Sequence, residues 1–310
     1  MDVRAALDEL VAAASLPPVA STRVLRERGF DNQLLVGVLA DGRQVLLRQS
    51  TAAAPPPIAR ARFLSVHDVG APRLYAANDA GAVLVDYVPG ETLAALARRG
   101  ALSDREWRMV GTAYRRIHAV QFAAPLRGPF GPDGLELTPE DPVDLLHSKI
   151  DAAEPAVRSE RPALLPSLSK LRKRIDARAD EFRREVPCLA HTDANFHNII
   201  VGADQVTLID WDYPAVRYPL EELEALEEHA YLNGVAELPT AFFAGYGRDV
   251  SRPLLRIHRI VGCLGTLSST EWSDMAADSR YPAGLRSMIR GWDEQLRDWI
   301  CRIEDHLEQI

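Results

Sequence analysis

Eight consecutive residues, His191 to Asn198 (HTDANFHN), hold two imidazoles, one carboxylate and two carboxamides, and two further carboxylates, Asp210 and Asp212, follow the apolar run IIVGADQVTLI. One reading gathers His191, Asp193 and His197 around a divalent ion, as a metal-dependent phosphohydrolase would. The only further ligand nearby is then Asn198, a poor partner for a soft ion. A second reading divides the labour: Asn198 and Asp210 donate oxygen to Mg²⁺, and Asp193 stays free to accept a proton. A hairpin between Asn198 and Asp210 folds the two oxygen donors back toward each other. That arrangement suits phosphoryl transfer from a nucleoside triphosphate.

The elements that must position these groups can be read from periodicity. Residues 2–15 place Val3, Leu7, Leu10 and Val11 at helical spacing ahead of Pro17 and Pro18. The period then changes: apolar runs at 33–39 and 45–47, joined through Asp41-Gly42, predict a β-hairpin. Residues 51–57 (TAAAPPP) read as a loop, 58–67 as a helix, and 81–90 (GAVLVDYVPG) as a buried strand running into a turn. After Gly90 the pattern is helical, with Ser103 and Glu106 spaced as a capping box before Trp107, Val110, Tyr114 and Ile117. The Pro/Gly-rich stretch 125–142 reads as a long connection, and IIVGADQVTLID as a short hairpin isolated among helices. The apolar series from Leu285 to Leu307 predicts one long helix. Strands thus come first and helices follow, an α+β class.

At 310 residues the chain is long enough for two lobes, each with its own core. A 47% hydrophobic and 26% charged composition is that of a globular protein. The net charge of −8 and the lack of a basic patch exclude a nucleic-acid surface and favour a cationic small partner. Cys188, Cys263 and Cys301 are odd in number and set in apolar sequence, which suits buried thiols in a reducing compartment. Asp2, Arg4 and Asp8 argue against a secretory leader, and no apolar run reaches membrane-spanning length. A cytoplasmic protein, monomer or homodimer, without a membrane partner is expected.

The string LAHTDANFHNIIV followed by VTLIDWD resembles the catalytic loop and metal-binding aspartate of the aminoglycoside phosphotransferase and choline kinase superfamily, in the pattern H-x-D-x-x-x-x-N and then Ile-Asp-Trp. The resemblance implies a bilobal protein-kinase-like fold: an N-terminal nucleotide-binding lobe at 1–88 with a small antiparallel sheet, a hinge near 86–90, and a mainly helical C-terminal lobe at 89–310. It makes Asp193 the catalytic base, Asn198 and Asp210 the Mg²⁺ ligands, and His191 and His197 residues that hold the loop. Asp212 either assists the metal or caps the next turn.

VLVDYVPGETL (83–93) resembles the strand and hinge of the family, so backbone groups of Asp86, Tyr87 and Val88 are expected to bind adenine. RIHAV (116–120) is similar to the end of the helix preceding the catalytic loop, PLEELEAL (219–226) puts Glu222 at the family's acidic position, and FFAGYGRDV (242–250) carries a tyrosine these kinases often have. The small lobe departs from the pattern. Arg48 in VLLRQS stands where a phosphate-binding lysine is expected, and PIARARFLSVHDVGAP lacks the glutamate that pairs with it, offering Arg60 and Arg62. The loop RERGFDNQ (26–33) has only Gly29 to let backbone amides approach phosphate. These departures also motivate a silent nucleotide-binding module.

Glu221, Glu224 and Glu228 fall on one helical face, either solvated or facing a substrate. By resemblance the cleft beyond Asp210 is acidic, making Glu222, Glu228, Glu271, Asp274 and Asp278 contacts for amines. Trp272 either covers a substrate ring or packs in the core. The implied function is an ATP- or GTP-dependent, Mg²⁺-requiring O-phosphotransferase acting on a cationic antibiotic, an aminoglycoside or a tuberactinomycin peptide such as capreomycin or viomycin ahead of macrolides and nucleoside antibiotics. The alternative is a metabolic kinase of choline, homoserine or a sugar.

Overall fold

A computed structural model describes residues 3–25, 32–50, 57–123 and 125–310. The loop around Gly29 and nearly all of the 51–57 segment lie outside the described residues. The chain opens with α1 (Val3–Ala13), β1 (Val19–Val24), β2 (Asn32–Leu39), β3 (Gln44–Ser50), α2 (Pro57–Val66), β4 (Leu74–Ala77) and β5 (Ala82–Asp86). The five strands form one antiparallel sheet in the order β1-β2-β3-β5-β4. The β2–β3 hairpin closes through Gly42 at φ +85°, a conformation open to glycine at no steric cost. Alternation then sends Leu35, Leu39, Val45, Leu47 and Leu84 to the face that α1 covers with Ala6, Leu7, Leu10 and Val11.

The remainder runs through β6 (Glu91–Thr92), α3 (Leu93–Arg98), α4 (Asp104–His118), β7 (Leu126–Gly131), β8 (Gly134–Leu135), β9 (Thr138–Pro139), α5 (Pro142–Glu160), α6 (Leu165–Ala177) and α7 (Ala179–Arg183). It continues with β10 (Cys188–Ala190), β11 (Ile199–Val201), β12 (Val206–Leu208), β13 (Ala215–Arg217), α8 (Pro219–Leu232), α9 (Thr240–Tyr246), α10 (Arg252–Ser268), α11 (Glu271–Ala277), α12 (Ala283–Ile300) and α13 (Ile303–Glu308). The fold is the mixed, antiparallel-sheet-first α+β type that the pattern predicts. A second, larger core includes Trp107, Val110, Tyr114 and Ile117 of α4, and Leu64 and Val69 from the α2 region also join it. The capping box forms at α4, where Ser103 N–H donates to Glu106 Oε2 at 3.0 Å.

Glycines set the approach of α4 to α9. A Cβ on Gly111 would lie 2.1 Å from the Phe242 carbonyl, and one on Gly245 would lie 2.0 Å from the Arg108 carbonyl. Only bare backbones allow these helices so close, and the approach brings Tyr246 at the end of α9 against His118 at the end of α4.

Four expectations need correction. The 125–142 stretch is not a plain connection: β7 pairs antiparallel with β8, β9 and β13, and Gly128 admits the Glu136 carbonyl where a Cβ would come within 1.9 Å. The β11–β12 hairpin is not isolated, because β11 also pairs with β6, Ile200 opposite Thr92. The C-terminal helix breaks after Ile300, and His306 of α13 folds back to stack on Trp299 with ring centroids 3.7 Å apart. Cys188 and Cys263 are buried as expected, but Cys301, in the turn at that break, is exposed. Among the described residues no helix is long and apolar enough to cross a membrane.

Candidate active site

The polar octapeptide begins where β10 ends, and Glu222 of α8 fixes its first turn. Glu222 Oε1 accepts the backbone N–H of His191 at 2.6 Å and of Thr192 at 3.1 Å, while its Oε2 meets His118 Nε2 at 2.7 Å. His118 Nδ1 in turn meets the Tyr246 hydroxyl at 2.8 Å. Burial works against ionisation of Glu222, but the His118 hydrogen bond and the backbone donors hold its carboxyl below the usual range. Thr192 is forced to φ +70°, a left-handed conformation that costs a non-glycine residue about 1–3 kcal/mol. Its hydroxyl donates to the Tyr213 carbonyl at 2.6 Å.

The strained turn presents Asp193. Asn198 Nδ2 donates to Asp193 Oδ2 at 2.7 Å, and the Asn195 N–H donates to Asp193 Oδ1 at 3.3 Å. His191 packs edge-on to Trp211 and directs Nε2 at the Ile209 carbonyl, 2.8 Å away. Its role is to tie the loop to the end of β12. The His197 N–H is held by Asn195 Oδ1 at 3.0 Å.

The β11–β12 hairpin, registered Ile199 opposite Leu208, closes with the Ile209 N–H donating to the Asn198 carbonyl at 2.8 Å. Asp210 follows at φ +65°, the second left-handed non-glycine residue of the site. Burial pushes its carboxyl up, against the pull of Arg48. Arg48 of β3 spans the cleft, with Nη1 on Asp210 Oδ1 and Nη2 on both carboxylate oxygens of Asp212 at 2.5 and 2.6 Å. Arg60 of α2 is buried and donates to the Asp212 carbonyl at 2.6 Å and to Asp212 Oδ1 at 3.0 Å. Asp212 is thus engaged by two guanidinium groups, a partnership the sequence did not reveal.

The donor set suits a hard cation. The Asn198 amide nitrogen is turned to Asp193, which leaves its carbonyl oxygen for another partner, and Asp210 supplies a carboxylate. Mg²⁺ takes one or two protein oxygens and completes its shell with water and phosphate. Among the described residues no group of three or more His, Cys, Asp or Glu side chains could hold a metal. The phosphohydrolase triad is not assembled: His191 is buried and its Nε2 is spent on Ile209.

Between β3 and β4 in the sheet, β5 ends at Asp86 and the chain runs without regular structure to β6. The Asp86 carboxylate is occupied by the Tyr75 hydroxyl at 2.6 Å and the Arg73 N–H at 3.1 Å. The Tyr87 N–H reaches the Gln44 carbonyl at 3.4 Å. Val88 has neither a side-chain nor a cross-chain backbone partner of this kind among the described residues.

The predicted amine contacts separate. Glu222 is buried at 3% exposure and holds the loop, so it is not a substrate contact. Glu228 accepts Arg259 Nη1 at 2.8 Å, and the same guanidinium lies 3.5 Å from Glu224. Glu224, Glu228, Glu271, Trp272 and Asp293 line one cavity of about 230 Å³. Burial pushes both the Glu224 and Glu228 carboxyls up. Trp272 also packs on Trp292 with centroids 5.9 Å apart, so it serves core and cavity together. Asp274 and Asp278 line an adjoining cavity of about 480 Å³ that shares Glu271. Within α8, His229 feels the charges of both Asp193 and Arg259, and burial lowers its imidazole to about 4. Glu224 lies on the helical face read as solvated or facing a substrate, and Asp293 was missed because only the packing of α8, α10 and α12 brings it to the same cavity.

A sequence comparison with curated proteins returns no match. The chain is similar in structure to a choline/ethanolamine kinase family protein from Mesorhizobium loti, at TM-score 0.63 and 15% identity over 100% of both chains. It is also similar to an ADP-bound aminoglycoside phosphotransferase, at TM-score 0.56 and 14% identity over 96% of this chain and 97% of the other. A choline kinase from Streptococcus pneumoniae aligns at TM-score 0.56 and 15% identity over 96% of this chain and 100% of its own. At such identities the likeness establishes the fold alone. The model of the phosphotransferase enzyme family matches residues 23–257, about three quarters of the sequence, and the strained Asp193 loop, its Asn198 partner and the Asp210 turn lie inside that match. The chain therefore belongs to the phosphotransferase enzyme family and is an enzyme that moves a phosphoryl group to an alcohol acceptor.

Proposed function

We propose that the chain transfers the γ-phosphoryl group of ATP or GTP to a hydroxyl of a small cationic acceptor, an antibiotic bearing amines. The observation that carries this reading is the Asp193 carboxylate, held by Asn198 and Asn195 at the tip of a strained loop beside Asp210. In the proposed reaction the acceptor oxygen bonds to the γ-phosphorus as the bond to the departing nucleoside diphosphate breaks. Asp193 takes the hydroxyl proton. Asn198 and Asp210 would hold Mg²⁺, which when bound neutralises phosphate charge. Arg48 faces the nucleotide phosphates, and the backbone of Asp86 to Val88 receives the base. On this reading residues 1–88 form the nucleotide lobe and 89–310 the acceptor lobe.

The acidic cavity on α8, α10 and α11 supports an amine-bearing acceptor, such as an aminoglycoside or a tuberactinomycin peptide. Its volume of about 230 Å³ also admits a compact acceptor, and the second reading is a metabolic kinase of choline, homoserine or a sugar. The free cysteines support a cytoplasmic location. The test is a nucleotide-turnover screen with ATP and GTP across an antibiotic panel plus choline, homoserine and sugars, followed by product mass analysis. One phosphate gained by a cationic compound supports the proposal. Phosphorylation confined to neutral sugars contradicts the acceptor class.

A further inference from the structure

Two arginines share one carboxylate in this cleft. Asp212 Oδ1 accepts from Arg48 Nη2 at 2.5 Å and from Arg60 Nη2 at 3.0 Å, and the Asp212 carbonyl takes Arg60 Nη1 at 2.6 Å. The side chains of Arg48, Arg60 and Asp212 are only 15%, 9% and 19% exposed. Guanidinium groups that close repel each other and are costly to remove from water unless a carboxylate lies between them. Kinases of this general design orient the strand cation with a carboxylate from the adjacent helix. Here α2, PIARARFLSV, contains no Asp or Glu and contributes Arg60 instead.

We propose that Asp212 is a positioning residue that replaces the missing α2 carboxylate. Arg60 anchors both the main chain and the carboxylate of Asp212. Asp212 then orients the Arg48 fork, whose other amino group meets Asp210. The cation, its orienting carboxylate and the second arginine form a relay from α2 to β3 through the loop after β12. A lysine at position 48 would offer one ammonium in place of the planar fork whose two amino groups meet Asp210 and Asp212 separately. The functional consequence rests on the nucleotide reading of Arg48, whereas the relay rests on the contacts themselves.

The test uses the full chain and two measurements. In the first, a fluorescent ATP analogue is titrated with Mg²⁺ and no acceptor. Asp212→Asn is expected to weaken binding about tenfold or more, where tenfold corresponds to about 1.4 kcal/mol. Arg48→Lys should not match the unaltered chain, and Arg60→Glu combined with Asp212→Asn, which returns a carboxylate to α2, should regain much of the lost affinity. In the second, urea unfolding of Arg48→Ala, Asp212→Ala and the double variant should be non-additive by about fivefold or more in the unfolding constant. Nucleotide affinity within twofold in Asp212→Asn, or an additive cycle, overturns the proposal. Absence of nucleotide binding by the unaltered chain defeats the nucleotide reading instead, and the unfolding cycle alone then decides for or against the relay.

Discussion

Asn198 Nδ2 donates to Asp193 Oδ2 at 2.7 Å, so the carboxamide proposed to serve the metal also orients the carboxylate proposed to take the proton. One side chain links the two halves of the chemistry. Asn198→Ala should therefore lower turnover about 100-fold, within the range typical of a mispositioned general base, and raise the Mg²⁺ concentration needed for half-maximal rate. Steady-state rates across a Mg²⁺ series check this. A normal Mg²⁺ dependence would separate Asn198 from the metal.

Glu222 satisfies three partners in the core, the N–H groups of His191 and Thr192 and the His118 ring. Glu222→Ala leaves all three without an acceptor, and a loss of about 3–5 kcal/mol is expected from breaking such a buried charged group. Tyr246→Phe removes only the outer link of the same chain and should cost about 1 kcal/mol. Urea unfolding of the two variants measures the ratio. Equal, small losses would show that Glu222 does not hold the loop.

Glu221 gives a pH dependence whose sign can be worked out. Burial opposes its ionisation, but Lys149 at 3.0 Å and Arg127 at 3.1 Å bring its carboxyl down to about 2. The folded pKa lies below the unfolded one, so the stabilisation is present above about pH 4.5 and lost as pH falls toward 2. The unaltered chain should lose up to about 3 kcal/mol across that window that Glu221→Gln does not lose. Parallel denaturation curves from pH 5 to pH 2.5 provide the comparison.

Acceptor charge should be read at the cavity rather than at the catalytic loop. Glu271 is exposed at its mouth beside Trp272. Glu271→Gln is expected to raise KM for a cationic acceptor about tenfold, or about 1.4 kcal/mol, with kcat within about twofold. A KM that stays unchanged places amine recognition elsewhere.

The hairpin that carries Asn198 and leads to Asp210 was legible in the sequence because short spacings set it. Asp193, Asn198 and Asp210 lie on one loop and one hairpin, whose geometry the intervening apolar run determines. The β2–β3 hairpin and the Ser103 cap were readable for the same reason. Part of what could not be read depends on residues more than a hundred positions apart. Arg48 and Arg60 meet Asp212 only because the sheet closes over the loop, and His118 meets Glu222 only because α4 and α8 pack side by side. Glu222 was taken for a substrate contact because the resemblance implies an acidic cleft beyond Asp210, and nothing in its sequence neighbours signals that it is buried and accepts two backbone amides. The Pro/Gly composition of 125–142 concealed three strands, since Gly128 and Gly131 there serve close approach while Gly134 at φ +136° serves the β7–β8 turn.

The central claim is that Asp193 is the base in phosphoryl transfer. Single-turnover transfer of the γ-phosphoryl to a confirmed acceptor, compared between the unaltered chain and Asp193→Asn under saturating nucleotide, tests it most directly. A rate about 10²–10⁴-fold lower in Asp193→Asn, with nucleotide affinity and folding retained, is the result predicted. Transfer by Asp193→Asn at a rate near that of the unaltered chain would contradict it.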